Sequence, residues 1–306
     1  MNKKLYIYTF YRFIDVPHKD EVKRELDRKL KNLGIRGTIL LAYEGINGSL
    51  SGPKQSLEIS IKIIKYLLKI RKLEIKINKN SFIPFNRLKI RVKKEIVSLG
   101  QGNINVNKFR GELINPENWN QVIKDKNVRL IDVRNIFEID IGSFKRSERP
   151  MTKSFREFPN SIKKLKLEKD NKIAMYCTGG IRCEKASAFM RKKGYKNVAI
   201  LNGGIIKYLE YMNSSKGNSL WNGECFVFDN RVTIDKKLTK GKYIQCYGCR
   251  RPITKKDTLS VKYIKGVSCP YCYNERSVSQ KNRSRVRQNQ IEEAKRSNKY
   301  NVFLKN

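Results

Sequence analysis

The chain has 306 residues, 39% of them hydrophobic, which is enough for two or three globular domains and unlike a disordered protein. Its 67 lysines and arginines against 28 acidic residues give a net charge of +39. Such a charge favours an anionic partner, most simply a nucleic acid, with compositional bias toward lysine as the alternative. No apolar run reaches the roughly 18 residues of a membrane span, and no signal-peptide cleavage site is present. We therefore expect a cytoplasmic protein with no membrane association and no protein partner.

The first hundred residues predict a small α+β domain. The predicted strands are Leu5–Phe13, Gly37–Ala42, Ile46–Ser51 and Leu73–Ile77, and the predicted helices are Asp20–Leu33 and Pro53 to about Lys69. The order βαββαβ is typical of a ferredoxin-like sandwich. We expect this domain to cover residues 1–105.

A strand with a cationic face is predicted next. Apolar and basic residues alternate with a period of two, so all the cations lie on one face. The four cations are Arg87, Lys89, Arg91 and Lys93. Neighbouring cations repel one another unless an anion lies across them, so we predict contact with nucleic-acid phosphates. An ordinary solvated sheet face is the alternative.

Residues 115–212 alternate strands with helices, which predicts an α/β domain with a parallel sheet. The predicted strands are Val128–Val133, Ile173–Tyr176 and Val198–Leu201, and the predicted helices start at Pro116, cover Glu184–Lys193 and end near Tyr211.

A cysteine loop joins the second of these strands to its helix. Cys177 lies at the carboxyl end of the strand, where open α/β sheets bind ligands. The amides of Thr178, Gly179 and Gly180, the helix N-terminus and the charge of Arg182 would favour a thiolate. We therefore predict Cys177 and Arg182 as catalytic and the three loop residues as supporting. A buried core cysteine is the alternative.

The length of this loop limits its chemistry. From Cys177 to Arg182 it spans six residues, one fewer than the phosphate cradle of cysteine-dependent phosphatases, which favours sulfur or nucleophile chemistry over phosphate-ester hydrolysis. Asp132 and Arg134, at the end of the neighbouring strand, either hold each other or contact substrate. Cys183 either packs in the core or acts as a resolving thiol.

The last segment, residues 213–306, combines a cysteine-rich part with a basic helix. Its cysteines have the spacing C-x2-C-x19-C-x2-C, which predicts a structural zinc site, with reduced or redox-active thiols as the alternative. The four cysteines are Cys246, Cys249, Cys269 and Cys272. His18 is the sole histidine, so the chain cannot form a catalytic metal centre that needs several histidine ligands.

A basic helix is predicted over Val278–Arg296, where Arg283 and Arg287 share a face. Residues 231–306 hold 20 lysines and arginines against 5 acidic residues. This charge predicts a nucleic-acid contact, and a solvated tail is the alternative.

Three segments are similar to rhodanese domains in general: Asp132–Arg134, the Cys-x-Gly-Gly-x-Arg loop at residues 177–182, and Leu201–Ile205. Five segments carry a more specific resemblance: Ala42–Gly48, Lys93–Gly100, Lys153–Pro159, Cys177–Ala186 and Gly223–Asp229. Through these segments the chain resembles the rhodanese-domain tRNA uridine-34 5-hydroxylase family. The family usually has a histidine inside the first tail CxxC, where this chain has Tyr247 and Gly248.

The resemblance implies an oxidoreductase that converts the wobble uridine of tRNA to 5-hydroxyuridine, with molecular oxygen as co-substrate and Cys177 as the essential residue. We expect no organic cofactor. It also implies a rhodanese-like catalytic domain at 115–212. From the charge of the two basic segments, we expect tRNA contacts on either side of this domain. Two other functions stay open: a sulfurtransferase carrying a persulfide on Cys177, and a non-catalytic protein that binds zinc and RNA.

Overall fold

The computed structural model describes residues 5–80, 85, 87–102 and 104–297. Two compact units are formed, one by residues 1–136 and 145–220 and the other by residues 137–144 and 221–306. The boundaries predicted at 1–105, 115–212 and 213–306 stay predictions, and the ends 1–4 and 298–306 lie outside the described residues. None of the described helices is long and apolar enough to cross a membrane.

The first part of the chain is a five-stranded sheet covered by two helices. Its elements are β1 (Leu5–Phe13), α1 (Lys19–Leu30), β2 (Arg36–Ala42), β3 (Gly45–Gly52), α2 (Lys54–Leu67), β4 (Ile75–Asn80) and β5 (Leu88–Val92). The strand order is β4-β1-β3-β2-β5, and only β2 and β5 pair in parallel. The predicted βαββαβ order is confirmed, and the predicted cationic strand forms the β5 edge. Helix α1 ends three residues earlier than predicted, because the chain turns after Leu30.

Each face of this sheet packs in part against a hydrophobic core. Tyr8 and Phe10 of β1 pack with α1 and α2 in one core, whereas Tyr11 and Phe13 pack against a second core that contains Cys177. Alternate residues of a strand point to opposite faces, so β1 joins the two cores.

The second part is the predicted parallel sheet. Its elements are α3 (Val106–Phe109), β6 (Glu112–Ile114), α4 (Pro116–Lys124), β7 (Val128–Asp132), α5 (Ile136–Ile139), β8 (Gly142–Phe144), α6 (Phe158–Ser161), β9 (Lys172–Tyr176), α7 (Ile181–Lys192), β10 (Val198–Leu201) and α8 (Gly204–Ser214). Short 3₁₀ turns at Phe155–Glu157 and Ile162–Leu165 flank α6. The sheet order is β6-β10-β9-β7, and all its pairs are parallel.

Helix α7 begins at Ile181, three residues before the predicted start at Glu184. Gly180 precedes it with φ +103°, a conformation that favours glycine and allows the chain to enter the helix directly from the loop. The predicted start was therefore too late for Arg182 and Cys183. Both lie in the first turn of α7.

The other compact unit consists of short hairpins and one long helix. Its later elements are β11 (Trp221–Gly223), β12 (Cys225–Phe226), β13 (Thr233–Ile234), β14 (Ile244–Gln245), β15 (Pro252–Ile253), a 3₁₀ turn (Lys256–Leu259) and α9 (Val278–Arg296). The antiparallel pairs are β8–β11, β12–β13 and β14–β15. Helix α9 has the predicted bounds and starts with a capping box between Ser277 and Gln280.

A buried lysine ties α7 to the first part of the chain. Lys185 has no exposed surface, and its Nζ donates to both oxygens of Glu44 at 2.8 and 2.6 Å and to the Val97 carbonyl at 3.0 Å. Glu95 Oε1 lies 3.6 Å from the same ammonium. The Lys185 ammonium therefore joins three segments of the chain, namely 42–48, 93–100 and 177–186.

We expect Lys185→Met to lower the free energy of unfolding by about 3–5 kcal/mol, because it leaves Glu44 as a buried carboxylate without its cation. Urea denaturation of the full chain measures the change. Lys192→Met, at the exposed end of α7, is the matched control and should change it by about 0.5 kcal/mol or less. Equal stabilities of the two variants would contradict this account.

Candidate active site

Cys177 follows β9 at the carboxyl edge of the parallel sheet and has no exposed surface. The amide of Gly180 donates to its Sγ at 3.2 Å. Arg182 is almost fully buried, and its Nη2 donates to Thr178 Oγ1 at 3.3 Å across the loop. The predicted loop residues are thus brought together around one sulfur.

The thiol of Cys177 is set to ionise at neutral pH. Burial alone would raise its pKa, but the Cys183 thiol, the charge of Arg182 and the amides of Cys183 and Gly180 together lower the pKa to about 5. Burial raises the pKa of Cys183 well above its usual value, and the neighbouring Cys177 adds to this. The pair is therefore a thiolate at Cys177 and a thiol donor at Cys183.

The start of α8 supports the same loop from the side. The amides of Ile205 and Ile206 donate to the carbonyls of Cys177 and Thr178 at 2.9 and 3.2 Å. A Cβ on Gly204 would lie only 2.4 Å from the Cys177 carbonyl oxygen, so this close approach requires glycine. The segment Leu201–Ile205 therefore holds the backbone on which the cysteine sits.

Asp132 and Arg134 form a buried ion pair. Both are fully buried, and the Arg134 guanidinium donates to the two Asp132 oxygens at 2.9 and 2.6 Å. The guanidinium also lies 5.8 Å from the centre of the Tyr176 ring, next to Cys177 in the chain. This geometry supports the interpretation that they hold each other rather than contact substrate.

Two further residues reach the loop from the five-stranded sheet. Tyr11 OH donates to Glu184 Oε1 at 2.7 Å. The same hydroxyl lies so close to the loop that a Cβ added at Gly180 would be only 2.7 Å from its oxygen. Burial raises the pKa of Glu184, against the opposing effects of Tyr11 and Arg110. Lys76 Nζ donates to the Gly179 carbonyl at 2.8 Å. Sequence reasoning missed Tyr11 and Lys76, since nothing local distinguishes them from other strand residues.

The four tail cysteines converge. Their sulfur atoms lie within 4.8 Å of one another, with Cys246–Cys272 at 4.0 Å, Cys249–Cys269 at 3.8 Å and Cys269–Cys272 at 3.7 Å. Zinc–sulfur bonds of about 2.3 Å in a tetrahedron separate the sulfurs by about 3.8 Å. The donor set and spacing therefore fit a four-coordinate metal ion.

The basic residues predicted to bind nucleic acid differ in their exposure and in their hydrogen-bond partners. On β5 and its flanks, Arg87, Arg91 and Lys93 are exposed and Lys89 is half-buried. On α9, Arg283 is exposed, whereas Arg287 donates to the carbonyls of Tyr247 and Gly266 at 3.1 and 3.2 Å. Arg287 thus braces the loops beside the cysteine cluster, a role that its helical spacing did not predict.

Two family models match successive parts of the chain. A model of the UPF0176 acylphosphatase like domain matches residues 5–96, and a model of the rhodanese-like domain matches residues 115–211. A rhodanese-related protein of known structure from Thermoplasma volcanium is 30% identical and covers 33% of this chain and 92% of its own, with a TM-score of 0.28.

Similarity to two curated proteins extends over nearly the whole chain. The tRNA uridine(34) hydroxylase of Pelagibacter ubique is 45% identical over 300 residues, which cover 98% of each chain. The protein of the same name from Agrobacterium fabrum is 44% identical over 290 residues, 94% of this chain and 92% of its own. At this identity and coverage, the chain belongs to the tRNA uridine(34) hydroxylase family.

Proposed function

We propose that this chain hydroxylates uridine 34 of tRNA at C5, with molecular oxygen as co-substrate and Cys177 as the reacting residue. The buried thiolate of Cys177, surrounded by donors from the loop and α7, carries the proposal. Similarity over the full length to proteins named tRNA uridine(34) hydroxylase supports the same substrate.

The thiolate suits a nucleophilic step on the uracil ring. A bond from Sγ to C6 would move the C5–C6 electron pair onto C5, with the negative charge shared by the O4 carbonyl. C5 then becomes the electron-rich atom that oxygen can attack. Loss of the C5 proton and departure of the thiolate restore the double bond. Insertion of one oxygen atom and reduction of the other to water uses two electrons and two protons, which an external reductant supplies.

Arg182 has two roles in this proposal. Its guanidinium stabilises the thiolate before reaction and the thiolate leaving group afterwards, because it is a nearly buried cation held against the loop by Thr178. An anticodon base is single-stranded, so it can leave its stack at a cost of only a few kcal/mol and enter such a site.

We assign the cysteine cluster to a structural zinc ion. The residues that would hold it are Cys246, Cys249, Cys269 and Cys272. Four thiolates complete a tetrahedral shell, so the ion would supply folding energy and would leave no position for substrate. Arg287 and Arg276 support the surrounding loops through carbonyls of Tyr247, Gly266 and Gly248.

We assign tRNA binding to the exposed cations of the two basic segments. Arg87, Arg91 and Lys93 are exposed on an edge strand and its flanks, where backbone phosphates can approach them. Lys89 of β5 extends the cationic surface of the first basic segment. Arg283 of α9 extends that of the second. These contacts position the tRNA, and the cysteine loop selects the base.

Cys177→Ser should lower 5-hydroxyuridine formation by more than about a thousandfold, because the hydroxyl remains protonated and is a poor nucleophile. Mass spectrometry of nucleosides from tRNA incubated with each variant measures the product. Cys225→Ser, at another buried cysteine, is the control and should keep activity. A Cys177→Ser variant with full activity would refute the mechanism. Transfer of sulfur from a Cys177 persulfide, without any hydroxylated uridine, would favour a sulfurtransferase instead.

The purified full chain should contain about one zinc ion per molecule by elemental analysis. Cys249→Ala should lose that ion and expose residues 246–276 to proteolysis, because three thiolates leave the shell open. Cys225→Ser should retain it. Chain purified without chelators that holds no zinc would exclude the assignment.

Arg91→Ala should weaken tRNA binding and reduce the slope of log affinity against log salt by about one, because one phosphate contact releases about one counterion. Binding titrations across a series of salt concentrations measure the slope. Arg24→Ala, at an exposed arginine of α1, is the matched control. An unchanged slope for Arg91→Ala would remove β5 from the binding surface.

A further inference from the structure

Lys76 belongs to β4, an edge strand of the first sheet, yet its side chain ends at the cysteine loop. It pairs with Thr9 of β1, two residues before Tyr11. Directly opposed residues share a face of the sheet, and so do residues two apart in a strand. Lys76 and Tyr11 therefore leave the same face, the one that packs against the core containing Cys177.

The ammonium of Lys76 joins two turns. It donates to the carbonyl of Gly179 in the cysteine loop at 2.8 Å, and also to the carbonyl of Gly203 before α8. The second turn leads into the amides that bind the carbonyls of Cys177 and Thr178. One side chain of the first sheet thus fixes both backbone segments that surround the sulfur.

The contact to Gly179 sets the direction of a catalytic amide. Gly179 O and the N–H of Gly180 belong to the same peptide unit, which is trans, so the two groups point in opposite directions. Lys76 holds the oxygen end, and the N–H end donates to Cys177 Sγ at 3.2 Å. Glycines flank this peptide on both sides, so its plane rotates easily unless something holds it.

We propose that Lys76 is a positioning residue for Cys177: it holds the Gly179–Gly180 peptide in the orientation that presents the Gly180 amide to the sulfur. The first sheet would then be part of the catalytic machinery as well as a tRNA-binding domain. The inference rests on the proposed role of Cys177 as the reacting group.

Several charged or titratable groups face this sulfur, and Lys76 acts alongside them. From α7 these are Arg182 and Cys183, from β1 it is Tyr11, and Asp132 of β7 acts on Cys183. Glu210 of α8 lies close enough to Lys76 to be affected by its charge. Removal of Lys76 leaves all these groups in place, so its effect on the thiolate can be measured separately.

The test is a pH titration of the Cys177 thiolate by its ultraviolet absorbance, taken as the difference between each protein and its Cys177→Ser counterpart. In Lys76→Met we expect the midpoint to rise by about one pH unit, because a cation and an oriented amide no longer favour the thiolate. At about pH 5.5 the thiolate fraction then falls roughly threefold, while near pH 8 it is unchanged. Hydroxylation should show the same loss at low pH and recovery at high pH.

Two variants serve as comparisons. Lys76→Arg keeps the charge and should keep the midpoint within about half a pH unit of the native value. Lys79→Met, at an exposed lysine of the same strand, should leave it unchanged. If Lys76→Met does not fold, Lys76→Gln, a smaller change of shape, is titrated in its place.

An unshifted midpoint in the folded Lys76 variant would overturn the proposal and reduce Lys76 to a packing contact. The titration uses no tRNA, so its result is independent of whether the chain hydroxylates uridine. Conversely, a protein that shows the predicted shift but makes no 5-hydroxyuridine would contradict the proposed function alone.

Discussion

The structure around the cysteine depends on one buried charge, the ammonium of Lys185. It lies three residues after Arg182 and two after Cys183 on α7, and its partners Glu44 and Val97 come from segments far away in the chain. A buried ammonium is tolerated only with its anions in place, so these segments must assemble together. Since α7 also carries the residues that face Cys177, the position of the helix and the state of the thiol are coupled through that assembly.

Several groups together stabilise the thiolate of Cys177. The Cys183 thiol, the Arg182 guanidinium and the backbone amides each favour the charged form, and their sum exceeds the effect of burial. Backbone amides stabilise the thiolate only while their peptides keep the right orientation. Glycine allows the tight path of the loop but gives it no rigidity, so the constraint comes from outside, through α8 and the sheet residues Tyr11 and Lys76.

Much of the fold could be predicted from the sequence, because the spacing of apolar residues and the residue types that favour turns are local features of the chain. The βαββαβ order, the parallel sheet and the bounds of α9 follow from alternation, helical spacing and glycine positions. The cysteine loop and the cysteine tetrad were also predictable, since their members are close in the chain or have a recognised spacing. Lys76, Tyr11 and Lys185 were not, because their partners lie from 88 to 173 residues away. The contacts of Arg287 were not predictable for the same reason: its carbonyl partners come from other loops.

Complete burial of Cys177 has a consequence for the survival of the enzyme in oxygen. Thiolates are the form of cysteine that peroxides convert to sulfenic and then sulfinic acid, and the second step is mostly irreversible. Such damage needs access as well as charge, and the sulfur of Cys177 has no exposed surface. In the proposed mechanism, a base that bonds to the sulfur would have to displace the groups that cover it, so the thiolate would become accessible only together with its substrate. If Cys177 is the reacting residue, as proposed, its burial would shield the thiolate from oxidative inactivation between turnovers.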